Sequence, residues 1–115
     1  VDDDPLYLEL LKDLLEMQCY HTLTARNGLD ALQILEQRTV DVIVSDIEMP
    51  IMDGIALHKK TLERANLKQI PFIFLTGSEQ PHHFRYIDAH PRLRLLRKSE
   101  MVNNLLALIA DALRG

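Results

Sequence analysis

The sequence predicts an α/β fold in which a parallel sheet is covered by helices on both of its faces. Residues 40–45 and 71–76 form nearly continuous apolar runs rich in β-branched and aromatic side chains, a composition typical of strands buried on both sides. Residues 29–37 instead repeat apolar side chains at the spacing of an amphipathic helix. Because strands that alternate with helices are joined by right-handed crossovers, the strands are expected to lie side by side and parallel.

Asp4 and Pro5 mark the start of the first predicted helix. Asp4 is a favourable N-cap, Pro5 suits the first helical position, and leucines recur after them at helical spacing. Residues 20–25 alternate in character and end at the turn signal Asn27-Gly28, which predicts a strand. The other predicted elements are a first strand ending at Val1, a last strand at 93–96, and helices at 55–65, 79–90 and 100–113, the last capped by Ser99.

Composition limits the possible functions. A chain of 115 residues that is 47% hydrophobic is expected to form one domain, here 1–115, whose first strand is shortened on its N-terminal side because the chain opens at Val1. The net charge of −4 argues against a nucleic-acid or anionic membrane partner. Cys19 is the only cysteine, so no internal disulfide or cysteine-based zinc cage is possible, and a reducing cytoplasmic location fits. No apolar run approaches the ~20 residues of a membrane helix.

Polar side chains are placed where the predicted strands end. These residues are Asp2, Asp3, Asp46, Thr76 and Lys98. Because ligands of such sheets gather at the carboxyl ends of the strands, we expect these side chains to converge on one edge. Crowded carboxylates repel one another unless a cation lies among them, and oxygen-only ligands favour Mg²⁺.

The same set of residues predicts a pocket for a phosphoryl group. Lys98 supplies a mobile positive charge and Thr76 a hydroxyl donor, and Asp46, at the end of the most buried strand, is the natural nucleophile. Taken singly, each has an ordinary interpretation: terminal acids act as solvated tails or caps, strand-end Asp and Thr form turns, and most lysines are exposed. Only their joint placement favours a site. The histidines at 82, 83 and 90 lack a metal-ligand spacing and are interpreted as surface or packing residues.

Along essentially its whole length the chain resembles a response-regulator receiver domain of two-component signalling. The matching segments are Val-Asp-Asp-Asp-Pro at 1–5, Val-Ser-Asp-Ile-Glu-Met-Pro-Ile-Met-Asp-Gly at 44–54, Leu-Thr-Gly at 75–77, and Lys98. The resemblance implies a CheY-like, flavodoxin-like doubly wound fold with five parallel strands in the order 2-1-3-4-5. It also implies a cytoplasmic signalling switch rather than a turnover enzyme.

The resemblance further assigns a role to each matching residue. It implies that Asp46 is the phosphoacceptor and that Thr76 and Lys98 contact the phosphoryl group. The Mg²⁺ ligands would be Asp3, Asp46 and the backbone carbonyl of Glu48, with Asp2 assisting through water. The donor would be a histidine kinase or phosphotransfer domain, and a covalently linked output domain or a homodimer would read the signal.

Two positions depart from the family pattern. Leu95 stands three residues before Lys98, where the family usually has Tyr or Phe, and Ser99 stands where a proline usually follows the lysine. The residues for phosphorylation chemistry are present, so phosphorylation is still expected. Because position 95 lacks an aromatic side chain, the usual conformational response through that side chain is not expected.

Two other classes of function remain open. One is a receiver-like interaction module that binds partners without phosphorylation, which the departures at 95 and 99 favour. The other is a phosphohydrolase with an aspartyl nucleophile, which generally needs a second Asp two residues after the first; Glu48 holds that position and no cap insertion is present.

Overall fold

The computed structural model describes residues 1–77 and 80–114. Two helices come first, and from the second of them onward helices and strands alternate along this part of the chain. The helices are α1 (Pro5–Met17), α2 (Gly28–Gln37), α3 (Gly54–Leu62), α4 (Pro81–Asp88) and α5 (Met101–Arg114), and the strands are β1 (Ile43–Asp46), β2 (Phe72–Thr76) and β3 (Arg94–Arg97). Among the described residues, no helix combines the length and the apolar character that a bilayer crossing requires.

The three strands form one parallel sheet in the order β1-β2-β3. In its register, Asp46 is paired with Leu75, and Thr76 with Arg97. The predicted strands at 40–45, 71–76 and 93–96 are thus confirmed with small shifts at their ends. Because the strands are parallel and in register, their C-terminal residues share one edge of the sheet.

The five-stranded order is not confirmed, because the described residues contain three strands and not five. Near the predicted first strand, Val1 is bonded to β1: its amine donates to the Val44 carbonyl at 2.6 Å and its carbonyl accepts from Asp46 N–H at 2.8 Å. Asp2 N–H then donates to the Ala25 carbonyl at 3.1 Å. Residues 20–24 line a cleft of about 640 Å³, across which no strand of the described chain runs. A strand needs consecutive pairings, which this segment lacks.

Helices cover both faces of the sheet, as predicted. On β2, Phe72 and Phe74 face a core built with α2 and α3, whereas Ile73 and Leu75 face a second core built with α1 and α5. Side chains alternate between the faces of a strand, so Thr76 shares the face of Phe72 and Phe74.

The helix starts confirm several predictions from local sequence. Asp4 caps α1, with its side chain accepting from Leu6 N–H at 3.0 Å. Asn27 caps α2 and Asp53 caps α3 in the same way. The helix predicted at 79–90 is present as α4, although residue 79 lies outside the described residues. The prediction that Ser99 caps the last helix is wrong, since Lys98–Glu100 forms a 3₁₀ turn that leads into α5.

Candidate functional site

Three polar residues meet at the C-terminal edge of the sheet. Asp46 is the last residue of β1, Lys98 directly follows β3, and Asp2 lies beside β1 through the bonds of Val1. The ammonium nitrogen of Lys98 lies 3.1 Å from Asp46 Oδ2 and 2.9 Å from Asp2 Oδ2. Residues separated by up to 96 positions in sequence are therefore held in one cluster because the sheet brings its strand ends together.

Backbone hydrogen bonds fix the two buried carboxylates. Asp46 Oδ1 accepts from the N–H of Ile47 at 2.7 Å, and Asp2 Oδ1 accepts from the N–H of Asp4 at 2.9 Å. The remaining oxygen of each carboxylate faces Lys98. The Lys98 ammonium donates a hydrogen bond to Asp46 Oδ2 and forms an ion pair with the buried Oδ2 atom of Asp2.

Burial and neighbouring charges have opposite effects on the pKa values of Asp46 and Lys98. Burial raises the pKa of Asp46, and the hydrogen bond and charge of Lys98 only partly counteract this effect. Burial alone would lower the pKa of Lys98, but its bonds to Asp2 and Asp46 outweigh burial, so its pKa is raised. Lys98 therefore stays charged beside a carboxylate that is costly to keep ionised without a cation.

The acidic cluster has the composition of a magnesium site. Carboxylate oxygens of Asp2, Asp3 and Asp46 all lie within 4.8 Å of one another. Asp2 and Asp46 are buried, whereas Asp3 is exposed and opens the cluster to solvent. One ammonium group cannot neutralise three neighbouring carboxylates, and a water-bearing hard cation would offset the remaining negative charge. The donor set therefore fits Mg²⁺.

Two other predicted site residues lie on the same edge. Thr76 is 3% exposed and ends β2 beside the strand of Asp46. Glu48 follows Asp46 by two residues and its side chain is exposed. These positions are compatible with the roles predicted from the sequence, which stay predictions.

Gly54 supports the site through a close contact that no local sequence signal predicts. Asp53, the residue before it, caps α3. In addition, a Cβ atom on Gly54 would lie 2.2 Å from the carbonyl oxygen of Asp46 and 3.0 Å from the Cα atom of Ile47. The glycine is needed because the start of α3 packs directly on the backbone of the phosphoacceptor candidate.

Replacing Gly54 with alanine is expected to lower the free energy of unfolding by about 2–4 kcal/mol, because neither backbone can move away without disturbing the other. Chemical denaturation measures the change. Gly77→Ala is the matched control, since a Cβ atom at Gly77 meets nothing within 4 Å. Equal stabilities of the two variants would contradict the close packing at Gly54.

The positions that depart from the family pattern have clear structural roles. Leu95 lies on β3 opposite Phe74 and packs against the core of that face. Ser99 belongs to the 3₁₀ turn that begins at Lys98. No aromatic ring of β3 is available to follow a movement of Thr76, because the strand reads Arg-Leu-Leu-Arg.

The buried His58 of α3 packs with the half-buried Tyr86 of α4 and with His90, which follows α4. The Nδ1 atom of His58 lies 2.6 Å from the Tyr86 hydroxyl, and the rings of Tyr86 and His90 lie 4.3 Å apart. Burial raises the pKa of Tyr86 to about 12 and lowers the pKa of His58 to about 4. We therefore assign the phenol as donor and the neutral imidazole as acceptor. His90 has the packing role predicted from the sequence, while the His58 partnership was not foreseen.

The depressed pKa of His58 makes stability depend on pH. Because an unfolded chain binds this proton near pH 6.5 and the folded protein only near pH 4, the free energy of unfolding should fall as the pH drops through that window. At about 1.4 kcal/mol per pKa unit, the difference between 6.5 and about 4 corresponds to a loss of roughly 3–4 kcal/mol, which is absent well above pH 6.5. Urea titrations across this range should show a smaller slope for His58→Gln than for the unchanged protein. His83, whose pKa burial also lowers, affects both proteins equally.

The comparisons with known proteins define the family. The model of the response regulator receiver domain matches residues 1–110, so the chain belongs to that family and to two-component signalling. Its fold resembles the signal receiver domain of a histidine kinase from Syntrophus aciditrophicus, with 32% identity, a TM-score of 0.90, and coverage of all of this chain and 87% of that one.

Two further relatives bear on the site. The polar-differentiation response regulator DivK of Brucella anthropi is 36% identical over 77 residues, which are 67% of this chain and 63% of that protein. The aligned part thus spans less than two thirds of the length of that curated relative. The response regulator TrrA from Thermotoga maritima, solved in complex with Mg²⁺-BeF, has 28% identity, a TM-score of 0.82, and coverage of 96% of this chain and 93% of that one.

Proposed function

We propose that the protein is a phosphoacceptor switch in which Asp46 receives a phosphoryl group from a phosphohistidine. The observation that carries the proposal is the Lys98 ammonium within about 3 Å of two carboxylates that belong to a group of three acids. A structural ion pair would need one acid. Three acids beside one lysine leave an excess of negative charge, which suits a site that is completed by a cation and a phosphoryl group.

The proposed transfer is a simple displacement at phosphorus. A carboxylate oxygen of Asp46 forms a bond to phosphorus while the phosphorus–nitrogen bond of the donor breaks and returns its electron pair to the imidazole. Lys98 neutralises charge on the phosphoryl oxygens, and the Thr76 hydroxyl donates to one of them. The bond from Ile47 N–H holds the carboxylate in one orientation during the attack. Slow attack by water later restores the carboxylate, so the domain is a switch and not a turnover enzyme.

The residues proposed to hold Mg²⁺ are Asp3, Asp46 and the backbone carbonyl of Glu48, with Asp2 acting through water. The ion would supply charge neutralisation and orientation for the phosphoryl group. The carboxylate oxygens of the three acids lie within 4.8 Å of one another, which supports this assignment.

The proposed partners follow from this chemistry. The donor is a histidine kinase or phosphotransfer domain, and the output is a linked domain or a second copy of the chain. The acidic net charge of −4 argues against nucleic-acid and membrane partners and is compatible with a cytoplasmic location.

We also propose that residues 1–115 form one receiver domain whose first strand extends on the N-terminal side of Val1. The Val1 amine bonds to β1, and Val1 lines a cleft together with Val42, Val44 and residues 20–24. A strand placed there would pair with both sides and complete the order 2-1-3-4-5.

The function is tested by incubating the protein with acetyl phosphate and Mg²⁺. Intact mass should rise by one phosphoryl group, and EDTA should prevent the change. Absence of any adduct, together with unchanged spectra in beryllofluoride, would refute the proposal.

Multiple turnover on small phosphate esters would instead favour a phosphohydrolase. Partner binding that is equal with and without beryllofluoride would favour the interaction module, which the aliphatic Leu95 makes the stronger of the two alternatives.

A further inference from the structure

Lys98 must be held in place for the site to work. A lysine side chain is long and flexible, and the Lys98 side chain is 23% exposed at the rim of the sheet. The 3₁₀ turn that begins at this residue has no side-chain cap. Another part of the chain must therefore restrict where the ammonium group goes.

Tyr7 contacts Lys98 at both its side chain and its backbone. The ammonium nitrogen lies 4.5 Å from the centre of the Tyr7 ring, within the range of a cation–π interaction. The Tyr7 hydroxyl also donates to the backbone carbonyl of Lys98 at 3.3 Å. The ring thus holds the charge, and the hydroxyl holds the start of the 3₁₀ turn.

The position of Tyr7 is itself fixed by the start of α1. Its N–H donates to the capping carboxylate of Asp4 at 3.4 Å, and the N–H of Asp4 donates to the carboxylate of Asp2. Its ring packs against the core between the sheet, α1 and α5. The start of α1 therefore orients both the carboxylate of Asp2 and the ring of Tyr7 that faces Lys98.

We propose that Tyr7 is a positioning residue for phosphoryl transfer, holding the Lys98 ammonium over Asp2 and Asp46 through its ring face and hydroxyl group. The inference rests on the proposed function and adds a residue that no motif of the chain singles out. Burial raises the pKa of the Tyr7 phenol, so its hydroxyl remains a donor at neutral pH.

Three variants separate the ring, the hydroxyl and the packing. Tyr7→Leu should slow phosphorylation by acetyl phosphate roughly three- to tenfold, since the charge loses its aromatic partner. Tyr7→Phe keeps the ring but loses the hydrogen bond to the Lys98 carbonyl, so its rate should lie between those of the unchanged protein and Tyr7→Leu. Tyr20→Leu is the matched control, because Tyr20 packs against the same core. It should lose similar stability without the loss in rate.

A fluorinated series tests the electrostatic part directly. Phenylalanines with increasing numbers of ring fluorines at position 7 keep the shape of the side chain but weaken the negative potential of its face. The rate should fall step by step along the series, which a purely structural role would not produce. A flat series, or equal rates for Tyr7→Leu and Tyr20→Leu, would overturn the role of Tyr7 and leave the proposed function intact. Failure of the unchanged protein to accept a phosphoryl group would refute both.

Discussion

Replacing Asp46 with asparagine is expected to abolish phosphorylation. The amide has nearly the shape of the carboxylate, and its oxygen can still accept from the N–H of Ile47, which lies 2.7 Å from Asp46 Oδ1. It lacks the negative charge that attacks phosphorus and binds a cation. With acetyl phosphate and Mg²⁺, the mass of the variant should stay unchanged over times that fully convert the unmutated protein.

Asp41→Asn is the charge-matched control for this experiment. Asp41 is exposed and precedes β1, at the opposite end from the site. Its loss should leave phosphorylation unaffected. If the Asp46 variant gained a phosphoryl group at an undiminished rate, the acceptor would be another residue and the proposed function of the strand edge would be wrong.

Replacing Lys98 with methionine should produce two effects of opposite sign. Phosphorylation should slow about 100-fold, the usual cost of removing one preorganised group that stabilises developing charge. Affinity for Mg²⁺ should rise. In the unchanged protein the ammonium group lies 2.9 Å from Asp2 and 3.1 Å from Asp46 and neutralises the acids that a metal would bind. Methionine preserves most of the side-chain volume. Mass spectrometry follows the first effect and calorimetric titration with Mg²⁺ the second.

Lys68→Met is a suitable control, since Lys68 is exposed and precedes β2, whereas the site lies at the C-terminal end of that strand. It should change neither quantity. A Lys98 variant that lost both the reaction and Mg²⁺ affinity would indicate a collapsed site instead of a missing charge, and unfolding measurements on the same samples would identify that case.

The amino-acid sequence by itself determined the elements that depend on local signals. The β-branched runs specified β1 and β2, the spacing of apolar residues specified the helices, and Asp4 with Pro5 specified the start of α1. It also determined that Asp46 and Thr76 lie at the ends of strands and that Lys98 lies next to the end of another. These predictions succeeded because hydrophobic periodicity and capping act over a few neighbouring residues.

The tertiary structure alone decided the side-chain contacts that lie outside the predicted cluster of strand-end residues. Tyr7 and Lys98 are in contact although they are 91 positions apart in the sequence. Gly54 lies against the Asp46 carbonyl only because the start of α3 packs back onto β1, the strand that precedes it. The hydrogen bond between His58 and Tyr86 joins two helices whose sequences share no motif. The absence of a strand at 20–25 has the same origin, since that segment has strand character but lacks a neighbour with which to pair. Side-chain contacts and sheet pairing depend on partners that are distant in the sequence, and the identity of a single residue does not reveal which partner it will meet.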